Sequence, residues 1–105
     1  MSSNTNYNEL HGQIMEVLNQ GWIGRIDHAI RMAKSLLQSQ EEQERMLAEI
    51  AGKLGDQGEF TYALETINQI ADPEQRVFAL KLVIGSAQGF LKVPDPIWYG
   101  MMGRN

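Results

Sequence analysis

Apolar positions along this chain recur at steps of three and four residues, and one set of them occurs twice. Ile26, Ala29, Ile30, Ala33, Leu36 and Leu37 are matched 34 residues later by Phe60, Ala63, Leu64, Ile67, Ile70 and Ala71. Gly24 is matched in the same way by Gly58. Steps of three and four draw one apolar stripe along a helix. A two-helix unit that returns at a fixed interval of this size marks a helical repeat array. No run alternates with period two over five or more residues, so no strand is expected.

The pattern predicts five helices. Asn6 with Glu9 three residues on forms a capping box that starts the first, whose stripe is Leu10, Ile14, Val17 and Leu18. It ends near residues 19–21, where Gly21 takes a terminal conformation cheaply. The second covers residues 24–38. Ser39 with Glu42 starts the third, with Leu47, Ile50, Ala51 and Leu54 on its stripe. Residues 55–58, Gly-Asp-Gln-Gly, read as a turn. The fourth helix carries Phe60 through Ala71. Asp72-Pro73-Glu74-Gln75 is the strongest helix start in the chain. Asp72 caps, Pro73 has no N–H to leave unpaired, Glu74 favours the positive helix end, and Gln75 completes the box. The fifth helix runs to Phe90 or Leu91, ahead of Pro94 and Pro96. Short connections make neighbouring helices antiparallel. The domain is therefore read as residues 6–92, preceded by a disordered stretch at 1–5 and followed by an extended, apolar tail at 93–105.

In the fifth helix, Val77, Leu80, Val83, Ile84, Ala87 and Leu91 are expected to face the core. Phe78, Leu82 and Phe90 lie off that stripe, beside Gly85, Ser86 and Gly89, which would let another segment approach closely. A terminal helix of an array normally turns a polar face outward, and this one is not polar. The tail residues Ile97, Trp98, Tyr99, Met101 and Met102 either fold back over it or join it in an apolar patch left for another chain.

Composition narrows the function. The chain has 105 residues, the size of one domain. That length buries roughly 65% of the unfolded surface, enough to fold without a metal or disulfide. It has no cysteine, which excludes disulfides, thiolate metal sites and cysteine nucleophiles. A net charge of -4 gives no general attraction for phosphate backbones, so nucleic acid is not an expected partner. No apolar run approaches the ~18 residues of a membrane span, and the N-terminus has no secretory pattern. A cytoplasmic protein is expected.

The candidate chemistry is sparse. Arg25, His28, Arg31 and Lys34 step by three along the second helix and read as a solvated face pairing with Glu41, Glu42 and Glu44. His11 and His28, the two histidines, stand on different helices without metal-ligand spacing. Glu41, Glu42, Glu44 and Glu49 occupy the early turns of the third helix and read as a solvent face. No nucleophile–base set or phosphate-binding loop appears. No enzyme, metal or cofactor is expected.

The segment from Leu47 to Pro73 resembles a tetratricopeptide repeat. Leu47, Ile50, Ala51 and Leu54 fall at the first-helix positions of that family, Gly58 at its turn glycine and Phe60 at the aromatic that follows. Ala63, Ile67 and Ile70 fall at its second-helix positions. The first unit matches mainly through Gly24, Ile26, Ala29, Ile30, Ala33 and Leu36. Leu47 departs from the family's aromatic, Pro73 comes early, and the first unit has Ser39 where a proline would stand. Asp72, Arg76, Val77, Ala79, Leu80 and Gly85 are locally similar to a HEAT unit, whose usual length is nearer ~40 residues. Either resemblance implies an all-α, five-helix array of antiparallel hairpins, a short solenoid.

A tetratricopeptide-like array implies a groove lined by the first helix of each unit. Here His11, Met15, Arg45, Ala48 and Gly52 would line it, with Phe78 from the fifth helix. The expected function is protein–protein interaction, as an adaptor or chaperone holding a helix or peptide of a partner. The residues expected to carry it are His11, Met15, Arg45, Ala48, Phe78, Leu82, Phe90, Trp98, Tyr99, Met101 and Met102. Small size, acidity and an apolar last third are also similar to the tetratricopeptide-type chaperones of bacterial secretion systems. The alternative is a structural subunit or homodimer that associates through the fifth helix and the tail.

Overall fold

Three helix starts follow from capping side chains. In the computed structural model, which describes residues 6–91, the helices are α1 (Tyr7–Asn19), α2 (Arg25–Leu36), α3 (Gln40–Asp56), α4 (Phe60–Ile67) and α5 (Pro73–Leu91). The Asn6 side chain accepts from the Asn8 and Glu9 amides at 2.8 and 3.3 Å. Ser39 Oγ accepts from the Glu42 amide at 3.0 Å, and Asp72 Oδ2 from the Gln75 amide at 3.3 Å. Each bond satisfies an N–H that the first turn would otherwise leave unpaired.

Three predicted ends are corrected. Residues 55 and 56 are helical, so α3 runs on through Gly55, and the turn begins only after Asp56. There the Gly58 amide donates to Gly55 O at 3.0 Å and the Glu59 amide to Leu54 O at 2.8 Å. This pair of bonds is a Schellman end. It needs a left-handed residue, and Gly58 supplies it with φ 79°. The fourth helix stops at Ile67 rather than Ala71. The Gln69 and Ile70 amides donate three residues back, to Thr66 O and Ile67 O. That tightening shifts the phase, so Ile70 is buried while its repeat counterpart Leu36 is exposed. Ile26/Phe60, Ala29/Ala63 and Ala33/Ile67 share burial in both units, and the match fails beyond them. The second helix likewise ends at Leu36, and Leu37 turns inward in extended backbone.

The chain stacks in order. Helix α3 packs against all four others, α1 packs on α2, and α4 packs on α5, while α2 and α4 do not pack closely. Each helix thus meets only neighbours one or two places away, a repeat-like arrangement with no strand among the described residues. The core is Leu10, Ile14 and Leu18 from α1, Ala29 and Ala33 from α2, and Met46, Leu47, Ile50, Ala51 and Leu54 from α3. Leu37, Ala48, Ala63, Ile67, Ile70, Ala79 and Val83 complete it. Burying one such leucine or isoleucine side chain contributes about 1.5–3 kcal/mol. No helix among the described residues is long and apolar enough to cross a membrane.

Helix α5 keeps Val83 of the predicted stripe in the core but turns Val77, Leu80 and Ile84 outward. Ala79 and Val83 are buried, but Val77, Leu80 and Ile84 are 50%, 38% and 53% exposed. The reason lies on α3. A Cβ on Gly52 would meet Leu82 Cβ at 3.1 Å, and one on Gly55 would meet Ser86 Cβ at 3.2 Å. These two glycines open a channel that draws in Leu82 and Ser86, rotating the Val77 stripe outward. The Ser86 hydroxyl donates to Asp56 and lies 3.1 Å from Leu82 O. A Cβ on Gly85 would meet nothing within 4 Å, so among the described residues the glycines that permit close approach are on α3 rather than α5.

Candidate interaction surfaces

Residues of α1, α3 and α5 meet in a cleft of about 420 Å³ lined in part by His11, Met15, Gly52, Lys53, Leu82 and Gly85. Three of the groove residues expected from the sequence, His11, Met15 and Gly52, are brought together here, joined by Leu82 of the fifth helix. Ala48 is fully buried and lines no surface, because its side of α3 is covered by neighbouring helices. Phe78 is exposed on α5 but does not line the cleft. The Phe90 side chain and Trp98, Tyr99, Met101 and Met102 lie outside the described residues.

Beside this cleft, Glu49 organises a polar cluster. His11 Nε2 lies 2.9 Å from Glu49 Oε1, and Tyr7 Oη donates to Glu49 Oε2 at 3.5 Å. Arg45 Nε stands 4.0 Å from the same carboxylate, one turn away on α3. Burial, then the charge on Glu49, pushes the Tyr7 phenol well above its ordinary range, so it remains a protonated donor. The cluster joins α1 to α3 and leaves Arg45 largely exposed.

A larger cleft, about 590 Å³, is elsewhere. It separates α2 from α4, the second helices of the two units. Its ends are bridged by Arg25 Nη2 to Glu59 Oε2 at 3.3 Å and by Lys34 Nζ to Gln69 Oε1. Arg25 and Lys34 therefore reach the residues that flank α4, and the expected pairing of the basic stripe with Glu41, Glu42 and Glu44 does not form. Arg25 Nε and Gln57 Nε2 also both donate to Leu18 O, which closes the end of α1. Ile26 and Ile30 line one side of the cleft, and Tyr62, Glu65 and Thr66 the other. At its rim stands Ile23, 99% exposed.

The loop that presents Ile23 is itself built. The Trp22 ring folds over Gly24, where a Cβ would stand 2.9 Å from Cζ3. Trp22 Nε1 donates to Gln20 Oε1 at 3.0 Å, and its ring packs on His28 at 5.6 Å between centroids. With Trp22 folded back, Ile23 is the residue left pointing outward. Sequence reasoning missed this surface. The available signal was the isolated Gly21-Trp22-Ile23-Gly24 run between two helices, a place where two large apolar residues cannot both be covered.

Glu44 corrects another expectation. It is 6% exposed instead of solvated. Its carboxylate accepts from the Ala71 amide at 3.0 Å, the Asp72 amide at 3.1 Å and Gln40 Nε2 at 3.1 Å. The Ala71 bond leads in holding its pKa below the ordinary carboxylate value, against the opposing effect of burial. Glu44 thus fixes the α4–α5 connection from α3, a structural task. Comparison of the chain with protein-family models, with curated proteins and with solved structures returns no match.

Proposed function

We propose that this chain is a protein-interaction module, not an enzyme, and that the α2–α4 cleft receives a short apolar segment, a helix or peptide, of a partner protein. The observation that carries the reading is Ile23, fully exposed on a built loop at the rim of the α2–α4 cleft. Covering such a side chain on binding contributes about 1.5–3 kcal/mol. Ile26, Ile30 and Tyr62 extend the apolar contact inward, and the bridges at Arg25 and Lys34 hold the two helices at a fixed separation. A chaperone of the bacterial secretion type is one specific form of this role, supported by the acidity of the chain and its exposed apolar surface.

A second reading places the partner in the cleft of His11, Met15 and Leu82, and it is favoured by the small residues Gly52 and Gly85 in its lining. Affinity capture from native lysate separates the two. Tagged protein is expected to retain a stoichiometric partner that Ile23→Asp releases and Met15→Asp keeps. The opposite pattern would move the site to the α1–α3–α5 side. Recovery of the chain alone as a multimer would favour the self-associating subunit.

A further inference from the structure

Helix α5 closes the stack with an apolar edge. Val77, Leu80 and Ile84 stand at steps of three and four along one line, each more than a third exposed. They lie away from the seated face of Ala79 and Val83, which are 0% and 6% exposed. Leu64 of α4, the helix packed beside α5, is also about half exposed. No charged residue stands among these three, and Lys81, one turn from both Val77 and Ile84, borders the line with its ammonium in solvent.

We propose that this edge is occupied in cis, by residues 97–102 of the same chain. That segment carries Ile97, Trp98, Tyr99, Met101 and Met102, five large apolar side chains in six positions. It follows α5 by only five residues, 92–96, two of which are proline. Proline cannot continue the helix and favours extended backbone before it. Five extended residues reach about 17 Å. The path back along α5 from Leu91 to Ile84 is about 10 Å, and to Val77 about 21 Å, at ~1.5 Å per helical residue. The linker therefore reaches Ile84, and six further residues cover the rest of the line. A tether this short gives a local concentration on the order of millimolar, which favours the attached segment over a second copy at ordinary protein concentrations. The edge is a different face from the α2–α4 cleft, so either proposal fails without the other.

Tryptophan emission tests this directly, because Trp98 is the one tryptophan left when Trp22 is replaced by Phe. In full-length Trp22→Phe protein, Trp98 is expected to emit at a blue-shifted wavelength and to resist acrylamide. Both properties should be independent of concentration, with a monomer by sedimentation velocity. Adding Ile84→Glu should abolish the shift while the far-ultraviolet helical signal persists, since Ile84 lies outside the core. Leu80→Glu is the second variant, should Ile84→Glu unfold. A solvent-like Trp98 in the parent would overturn the proposal. So would a shift that both variants leave unchanged, or one that appears only as the chain dimerises, which would identify a second copy as the occupant.

Discussion

Glu44 illustrates how a single residue changes meaning when its surroundings are known. In the sequence it is one of several glutamates in the early turns of a helix, and the dipole explains them all. In the fold it is buried and binds two backbone amides of a distant turn, 27 and 28 residues away. Glu44→Ala leaves those amides unpaired and is expected to cost about 1.5–3 kcal/mol in urea unfolding. The folded state holds the carboxyl below its unfolded value of about 4.3. Its contribution is therefore present above that pH and is lost as pH falls through the lower folded value. The stability gap between wild type and Glu44→Gln should narrow on acidification below about pH 4, and a gap that stays constant would contradict the assignment. Two glycines give an opposed pair of predictions. Gly52→Val drives side-chain atoms into Leu82 and should destabilise by about 1–3 kcal/mol. Gly12→Ala, in the exposed interior of α1 with nothing within 4 Å, should stabilise by about 1 kcal/mol. Thermal unfolding of the two variants reads both signs.

Individual helices were legible to the extent that their signals were local. Capping at Asn6, Ser39 and Asp72 depends on residues within three positions, and the side-chain cap forms at all three, although the Asp72 amide goes to Glu44 and not to Gln75 as a full box requires. Asp72→Ala should cost about 1 kcal/mol by the loss of one such bond. Endings were less legible. A glycine-aspartate-glutamine-glycine run offers two stops, and the tertiary contact of Gly55 with Ser86 and Val83 keeps the helix going to the second. The end of α4 depends on a tightened turn that resets which residue points inward. The face of α5 was misread for a related reason. Its own sequence has apolar residues around most of its circumference, so periodicity cannot choose among them. The choice is made by the glycines of α3, 30 and 31 residues earlier, which accept Leu82 and Ser86. Between helices, Arg25 and Glu59 form a partly exposed pair. A double-mutant cycle with Arg25→Met and Glu59→Met should give a coupling of about 0.2–1 kcal/mol. A coupling of zero would mean the bridge does not hold the α2–α4 cleft.

At the level of the whole molecule, the 34-residue period carried the most information. It led to helix count, order and the stacked arrangement, since stacking neighbours is how short hairpins bury their apolar faces. The array it implies also puts His11, Met15 and Gly52 on one side, and these three line a common cleft in the fold. What it could not yield was the relative prominence of the surfaces. That depends on gaps between helices, and the gap between α2 and α4 follows from how both rest on α3, a relation no local spacing encodes. The α2–α4 cleft, with Ile23 at its rim, is the central functional claim. Amide hydrogen exchange on the free chain and on the complex it captures would test it most directly. The account predicts slowed exchange on binding in residues 21–30 and 59–69. Slowing confined to α1 and α5, with the α2 and α4 amides unchanged, would contradict it.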